Sequence, residues 1–275
     1  MAELAPAQMN TRPLRRAMPV GVGLIALAVL AGFALATPAG ILGKADAVGY
    51  AICHRIGSHS FTIAGRQLPL CARCTGIYLG ALLSLTTLVA AGRRRASLLP
   101  PRPVLFTLLG FVVLMGIDGT NSYLTLFPGL PHLYPPQNWL RLMTGTLYGM
   151  ALAVLAYPFF NSALWRLPEP ARSLRNFREL GGLLLLAGIV VALALTENPV
   201  LLYPLALLSA LGVVLMLSLV NTMLAALISR RDNAAVSWRH IWPLLVAGVT
   251  LTFVEIGLID AVRFALTGTW EGFSL

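Results

Sequence analysis

Seven long apolar stretches constrain what this chain can fold into more than any other feature of its sequence. An apolar run of about 20 residues is long enough to cross a bilayer as an α-helix. Charged residues make up 11% of the chain, whereas soluble domains carry about 25%, so a soluble globular protein is excluded. We therefore predict an all-α, polytopic membrane bundle of about seven transmembrane helices. The predicted spans are Met18–Ile41, Gly76–Ala91, Val104–Gly119, Leu140–Phe160, Leu180–Leu195, Val200–Ile228 and Ile241–Leu266.

The basic residues alternate between loops in a way that predicts the orientation of the chain. The N-terminal segment and every second loop together hold 14 of the 20 basic residues. By the positive-inside rule these segments face the cytoplasm, which places the N-terminus inside and the C-terminus outside the cell membrane. The net charge of +10 then reflects topology, and nucleic acid is not an expected partner. The arginines concerned are Arg12, Arg15, Arg16, Arg93, Arg94, Arg95, Arg102, Arg166, Arg172, Arg175, Arg178, Arg230, Arg231 and Arg239.

The first span also has features of a secretory signal peptide. Basic residues precede its apolar run, and Ala34-Leu35-Ala36 near its end resembles a small-residue cleavage site. The run is long for a signal peptide, which favours an uncleaved anchor. Cleavage would leave six spans and the same chemistry on the outer face.

The chain is predicted to have four segments and no independent soluble domain. The first membrane region contains a Cys/His outer loop, 42–75, and a proline-rich outer loop, 120–139. One further segment, the cytoplasmic linker at 161–179, is polar and contains proline, and it can form a helix on the membrane surface. The segments are a cytoplasmic tail (1–17), a first membrane region (18–160), a cytoplasmic linker (161–179) and a C-terminal region of three membrane helices (180–275).

All three cysteines lie in the Cys/His outer loop, together with two of the four histidines. Cys71 and Cys74 form a C-x-x-C pair, and with Cys53 and His54 they provide four ligands for a tetrahedral zinc-like ion. His59 can take the place of His54. Two other interpretations stay open. The pair can be redox-active, with neighbouring arginines favouring thiolate, or one structural disulfide can leave a single free cysteine.

Several motifs of this region resemble one prokaryotic membrane-protein family. The longest is Pro69-Leu70-Cys71-Ala72-Arg73-Cys74-Thr75-Gly76-Ile77-Tyr78-Leu79-Gly80. The others are Cys53-His54-Arg55, Ser60-Phe61, Gly65-Arg66-Gln67, Ile117-Asp118-Gly119 and Asn138-Trp139-Leu140-Arg141-Leu142-Met143-Thr144-Gly145. Over roughly residues 45–155 the chain resembles the family called domain of unknown function 2085. The resemblance implies a membrane fold and a shared motif set, without an activity or a substrate, and it leaves out the last three spans.

The pattern Thr-Gly-x-x-x-Gly occurs three times, beginning at Thr75, Thr144 and Thr267. Glycines at this spacing let two helices approach closely, so helix packing is one interpretation. An arginine precedes each copy, which suggests the alternative that three arginines converge on an anion at the outer interface. These arginines are Arg73, Arg141 and Arg263.

Ionisable residues at or inside the apolar runs are costly in a membrane unless they are paired or hydrated. Asp118 ends the third span, and Asp260 lies in the last span, three residues before Arg263. The simplest pairs are Asp118 with Arg141 and Asp260 with Arg263. Glu255 has no local partner, and we expect it to face an internal pocket. Asp118, Arg141 and Glu255 are the candidate catalytic residues.

The leading interpretation is an outer-face metal site beside an arginine-rich pocket. Zinc is the expected cofactor, and the bilayer and an anionic lipid are the expected partners. If only three protein ligands bind the ion, an activated water can complete the site and act on a lipid head group. A thiol–disulfide oxidoreductase is the first alternative, and a non-enzymatic transporter or assembly factor is the second. The arginines expected to bind the anion are Arg55, Arg66, Arg73 and Arg141.

Overall fold

The computed structural model describes residues 17–127 and 129–272, and it shows a bundle of long helices. Six helices in this part of the chain are long and apolar enough to cross a membrane, which confirms the predicted all-α polytopic fold. The helices are α1 (Ala17–Ala36), α2 (Gly40–Ile52), α3 (Ala72–Ala90), α4 (Arg102–Leu124), α5 (Asn138–Leu164), α6 (Phe177–Leu195), α7 (Leu202–Ile228) and α8 (Trp238–Thr267). The short strands are β1 (Thr62–Ile63), β2 (Arg66–Gln67), β3 (Ala96–Leu98) and β4 (Glu169–Arg172). The predicted tail, with Arg12, Arg15 and Arg16, lies outside the described residues.

The chain bends sharply after α1. Helices α1 and α2 meet at 102°, and Pro38 lies in the break between them. The Lys44 ammonium donates to the carbonyl oxygen of Ala34 and to both oxygens of Thr37, so a positive charge caps the C-terminal end of α1. The Cys/His outer loop was expected to begin at residue 42. This expectation is wrong for residues 42–52, because α2 continues to Ile52. If the bent pair counts as one span, there are seven spans among the described residues.

One end of the bundle gathers the segments that follow α2, α4 and α8, and we name it the cysteine end. Asn138, at the start of α5, donates to the carbonyl oxygens of Ser58 and Ser60 at 3.3 and 3.4 Å. Arg55 donates to the carbonyl oxygen of Trp270, beyond α8, at 3.2 Å. The loops predicted to face outward are therefore joined to one another, as the alternation of charge requires.

The opposite end, which we name the arginine-rich end, gathers the segments that precede α4, α6 and α8. Strand β3 pairs in parallel with β4, and an isolated bridge joins Trp165 to Ala235. The Asn161 side chain donates to the carbonyl oxygen of Ala96 at 2.9 Å. The prediction of a surface helix in the linker is wrong. Helix α5 continues to Leu164, and the next element of the chain is the strand β4. Pairing with β3 satisfies the linker backbone in place of helical hydrogen bonds.

Helices α3 and α5 begin at the same end and pack closely through the first two Thr-Gly-x-x-x-Gly copies. A methyl group at Gly80 would lie 2.3 Å from the carbonyl oxygen of Thr146, and one at Gly149 would lie 1.8 Å from that of Ile77. Only glycine allows this approach, so the helix-packing interpretation is confirmed for these two copies. The third copy differs, because Gly268 ends α8 in the left-handed conformation, with φ at 69°.

Candidate metal centre

The three cysteines come together at the cysteine end. Cys53 immediately follows α2, Cys71 precedes the first residue of α3, and Cys74 lies in the first turn of α3. Their Sγ atoms all lie within 4.8 Å of one another. All three are free thiols, with Cys53 and Cys71 buried and Cys74 half-buried. Cysteines from two segments, 18 to 21 positions apart in sequence, thus form one compact group of sulfur ligands.

The surroundings of Cys53 favour its thiolate form. The backbone N–H groups of Arg55 and Cys71 donate to its Sγ at 3.4 and 3.3 Å. Hydrogen bonds from the thiols of Cys71 and Cys74 lower the pKa of Cys53 well below its usual range. The same contact with Cys53 raises the pKa of Cys71 to about 12. The cluster is therefore arranged so that hydrogen bonds stabilise negative charge on Cys53.

The two histidines lie beside the cluster without entering it. His54 Nδ1 is 3.8 Å from Cys53 Sγ, and it accepts a hydrogen bond from the backbone N–H of Ile56 at 3.3 Å. The His59 ring packs edge-on against His54, with centroids 5.5 Å apart. Burial, followed by the positive charge of Arg141, lowers the pKa of His59 to about 4. Among the described residues, the three cysteines alone form a group with metal-ligand spacing.

Arg55 and Arg66 share a single carboxylate that the sequence analysis did not single out. Asp46 on α2 accepts from Arg55 at 2.9 Å and from Arg66 at 2.5 Å. Gln67 donates to the carbonyl oxygen of Arg55 at 2.8 Å, and Trp270 closes the opposite side. A cavity of about 440 Å³ opens between these residues. The signal available in the sequence was an acid near the middle of α2, nine residues before Arg55.

Asp118 is bound by Arg73, which corrects the expected pair with Arg141. Arg73 donates to the Asp118 carboxylate at 2.6 and 3.1 Å. Tyr134 and Thr144 donate to the same carboxylate at 3.0 and 3.2 Å. The long Arg73 side chain reaches Asp118 from the first turn of α3, so this carboxylate already has a counter-charge.

Of the four arginines predicted to bind an anion, Arg141 differs from the other three because it forms no ion pair with a described residue. It is 4% exposed, and its guanidinium donates to the side-chain oxygen of Asn138 at 2.8 Å. No carboxylate of a described residue lies within 4.0 Å of it, and its buried Nε has no hydrogen-bond partner among them. A buried guanidinium without a directly paired carboxylate is costly, and Arg141 is therefore the arginine of this set most suited to an anion.

Arg263 holds the end of α2 in place, and this corrects the expected Asp260–Arg263 pair. Its guanidinium donates to the carbonyl oxygens of Tyr50, Cys53 and His54, at 2.6 Å for Cys53 and 3.3 Å for His54. It also stacks on the Tyr50 ring at 4.0 Å from the centroid. Neither carboxylate oxygen of buried Asp260 accepts a hydrogen bond from a described residue. The carbonyl groups at the C-terminal end of α2 attract the cation instead.

Glu255 lies away from the cysteine cluster, and the expectation of an internal pocket around it is wrong. Its side chain is exposed on the surface of the bundle near the centre of α8. Asn221 on α7 donates to its carboxylate at 2.8 Å and to the Thr252 hydroxyl at 3.1 Å. The partner comes from a neighbouring helix, which explains why no local partner was visible in the sequence.

The fold and the site define a polytopic helical membrane protein with a cluster of three thiols at one end. The family model described as a predicted membrane protein, DUF2085, matches residues 53–155. The matched region contains all three cysteines, Asp118 and Arg141, whereas Glu255 and Arg263 lie beyond it.

Two archaeal relatives extend this comparison. An uncharacterised protein of Methanothermobacter thermautotrophicus is 39% identical over 92 residues, which cover 29% of this chain and 76% of the relative. An uncharacterised protein of Methanocaldococcus jannaschii is 29% identical over 115 residues, which cover 42% of this chain and 67% of the relative. The chain belongs to the DUF2085 family of predicted membrane proteins. No solved structure matches it.

Proposed function

We propose that the cysteine end binds a zinc-like divalent ion through Cys53, Cys71 and Cys74, and that this centre is the functional site. One observation carries the proposal: three free thiols from two separate segments lie within 4.8 Å of one another. Thiolate is a preferred ligand of zinc, and a C-x-x-C pair at the start of a helix supplies two ligands to one ion. Backbone N–H groups already directed at Cys53 would stabilise the bound thiolate.

The fourth position of the ion determines whether the centre is structural or chemical. A site closed by His54 would be structural, because four protein ligands leave no open position. His54 Nδ1 would first have to release the N–H of Ile56. With three protein ligands, a water or a ligand oxygen takes the fourth position, as in catalytic zinc sites. The hydrogen bond from Ile56 favours the three-ligand form.

Charge balance supports a role for Arg141 beside this centre. Three thiolates around a divalent ion leave one negative charge, and Arg141 is a buried guanidinium without a carboxylate within 4.0 Å among the described residues. By contrast, Arg55, Arg66 and Arg73 already bind Asp46 or Asp118. Arg141 would offset the charge of the centre and orient an anion, such as a lipid phosphate, at the fourth position.

Metal analysis of the full chain purified in detergent tests the proposal. We expect about one zinc ion per chain, and its loss in Cys71→Ser and in Cys74→Ser. Ser58→Ala, an exposed position at the same end, is the matched control and should keep the ion. A preparation with no metal and one titratable thiol per chain would overturn the proposal, because two cysteines would then be joined in a disulfide.

A thiol–disulfide oxidoreductase is the second candidate, and the lowered pKa of Cys53 favours it. Two thiols of the cluster would form a disulfide and release two protons and two electrons, which an oxidised quinone would accept. The metal-free protein should then fall from three titratable thiols to one when the quinone is added. A transporter or assembly factor gains no support from Glu255, which lies on the surface rather than along a described cavity.

A further inference from the structure

A groove lies at the arginine-rich end, away from the cysteine end. It has a volume of about 590 Å³, and its apolar lining, which we name the floor, is the run Leu98-Leu99-Pro100-Pro101. Arg102 and Arg172 complete the lining. The parallel pairing of β3 with β4 places Leu98 opposite Arg172, and α4 begins at Arg102. The groove is therefore built by the tertiary structure from two segments that are about 70 residues apart.

Both groove arginines are available to a ligand, unlike Arg93 and Arg95. Arg102 and Arg172 are exposed, and neither side chain forms a hydrogen bond or an ion pair with a residue that the structure describes. Arg93, in contrast, binds Glu179 and the carbonyl oxygen of Ser173. Arg95 stacks on an indole ring at 3.8 Å. The two free guanidinium groups thus form the polar part of the groove.

The surrounding charge favours an anion. Segments 91–102, 165–179 and 229–239 contain eleven arginines and three acidic residues. Arg102 is also the first residue of a helix long and apolar enough to span the membrane, so the groove lies at the level where lipid head groups begin. Pro100 and Pro101 have no backbone N–H to offer a phosphate, and Leu98, Leu99 and Pro101 supply accessible apolar surface instead. A fully polar anion would leave that floor exposed.

We propose that this groove binds an acidic phospholipid from the leaflet that faces the arginine-rich end. The phosphate lies between Arg102 and Arg172, and the glycerol and upper acyl chain cover the leucine and proline floor. The proposal is independent of the metal centre. It assigns a lipid site to the end opposite the one where an anionic lipid was expected from the sequence.

Native mass spectrometry of the full chain in detergent tests this site. The probe is short-chain phosphatidylglycerol, compared with phosphatidylcholine of the same chain length. We expect phosphatidylglycerol to bind preferentially, and the double variant Arg102→Gln/Arg172→Gln to weaken its binding roughly 30-fold, the factor for losing two arginines near an anionic surface. Arg102→Lys/Arg172→Lys should retain most of the affinity, because it keeps both charges.

The matched control is Arg230→Gln/Arg239→Gln, which removes two exposed arginines of the same end outside the groove. It should leave the affinity for phosphatidylglycerol nearly unchanged. An equal loss in the control would overturn the proposal in favour of diffuse attraction by the whole basic surface. Equal binding of phosphatidylcholine, or binding of glycerol phosphate as tight as that of the lipid, would also overturn it. Each variant is first checked for an unchanged thermal unfolding midpoint.

Discussion

The two ends of the bundle hold their charges in opposite ways. At the cysteine end, Arg55 and Arg141 are buried, and acidic side chains or carbonyl oxygens lie around the guanidinium groups of that end. At the arginine-rich end, Arg102 and Arg172 are exposed and have no partner among the described residues. Arg93 resembles the charges of the cysteine end, since it is buried against Glu179.

This difference separates charges that build a site from charges that set orientation. A buried guanidinium is costly unless it is paired and hydrogen-bonded, because removal from water costs several kcal/mol per ion. It therefore has one geometry, which a site can use. An exposed arginine at the membrane boundary costs little and keeps its freedom, so it can direct topology and attract acidic lipids. The cysteine end thus buries arginines within the protein, whereas the arginine-rich end leaves Arg102 and Arg172 exposed.

The largest expected effect is the loss of the buried pair at the cysteine end. Asp118→Asn removes the counter-charge of Arg73 and should lower the free energy of unfolding by about 3–5 kcal/mol, since Asp118 is nearly inaccessible. Denaturant unfolding in detergent measures the change. The matched control is Glu169→Gln at the other end, an exposed carboxylate outside the ion pairs of the described residues, where a change of less than about 0.5 kcal/mol is expected. Equal losses in the two variants would remove the distinction between the ends.

A smaller effect is expected on the affinity of the metal centre. Arg141→Gln removes the buried charge proposed to offset the thiolates, and we expect the dissociation constant for zinc to rise about tenfold, the lower limit for groups that support metal ligands. Competition with a chelator measures this. Arg141→Lys should lose less, because it retains the positive charge. An unchanged affinity in Arg141→Gln would mean that Arg141 only supports the fold.

The effect expected to be smallest at neutral pH is a pH dependence at His59. Its pKa in the folded protein is about 4, below the ordinary value of 6.5, so between these values the unfolded chain binds a proton that the folded chain does not. The stability present above pH 6.5 is therefore lost as the pH falls toward 4. Thermal unfolding at several pH values should show a flatter dependence in His59→Asn. Parallel curves for the two proteins would show that His59 is not held neutral.

Features that depend on local sequence were predicted well. Hydropathy located the spans from α3 to α8, because transfer of each stretch into a membrane depends on its own residues. Helix α2 was missed, since Lys44 and Asp46 interrupt its apolar character and make it resemble a loop. The need for glycine in α2 is visible only from the packing. A methyl group at Gly49 would lie 2.0 Å from the carbonyl oxygen of Pro69, which is too close.

The partners of the charged residues were predicted poorly. Asp118 was assigned to Arg141 and is bound by Arg73. Asp260 was assigned to Arg263, which instead binds the carbonyl groups at the end of α2. Several arginines lie at similar depth, so depth in the membrane does not distinguish among them. The choice depends on which helices approach, and spacing along one helix carries no information about that.

The sequence alone determined that this protein is a helical membrane bundle, that its loops alternate in charge, and that its three cysteines lie on one side. These properties follow from the transfer free energy of each segment and from the order of segments along the chain. The tertiary structure decided that the three thiols meet within 4.8 Å, and that Arg141 is left without a carboxylate partner among the described residues. Both outcomes depend on contacts between helices, where a few ångströms of approach decide which groups can bond.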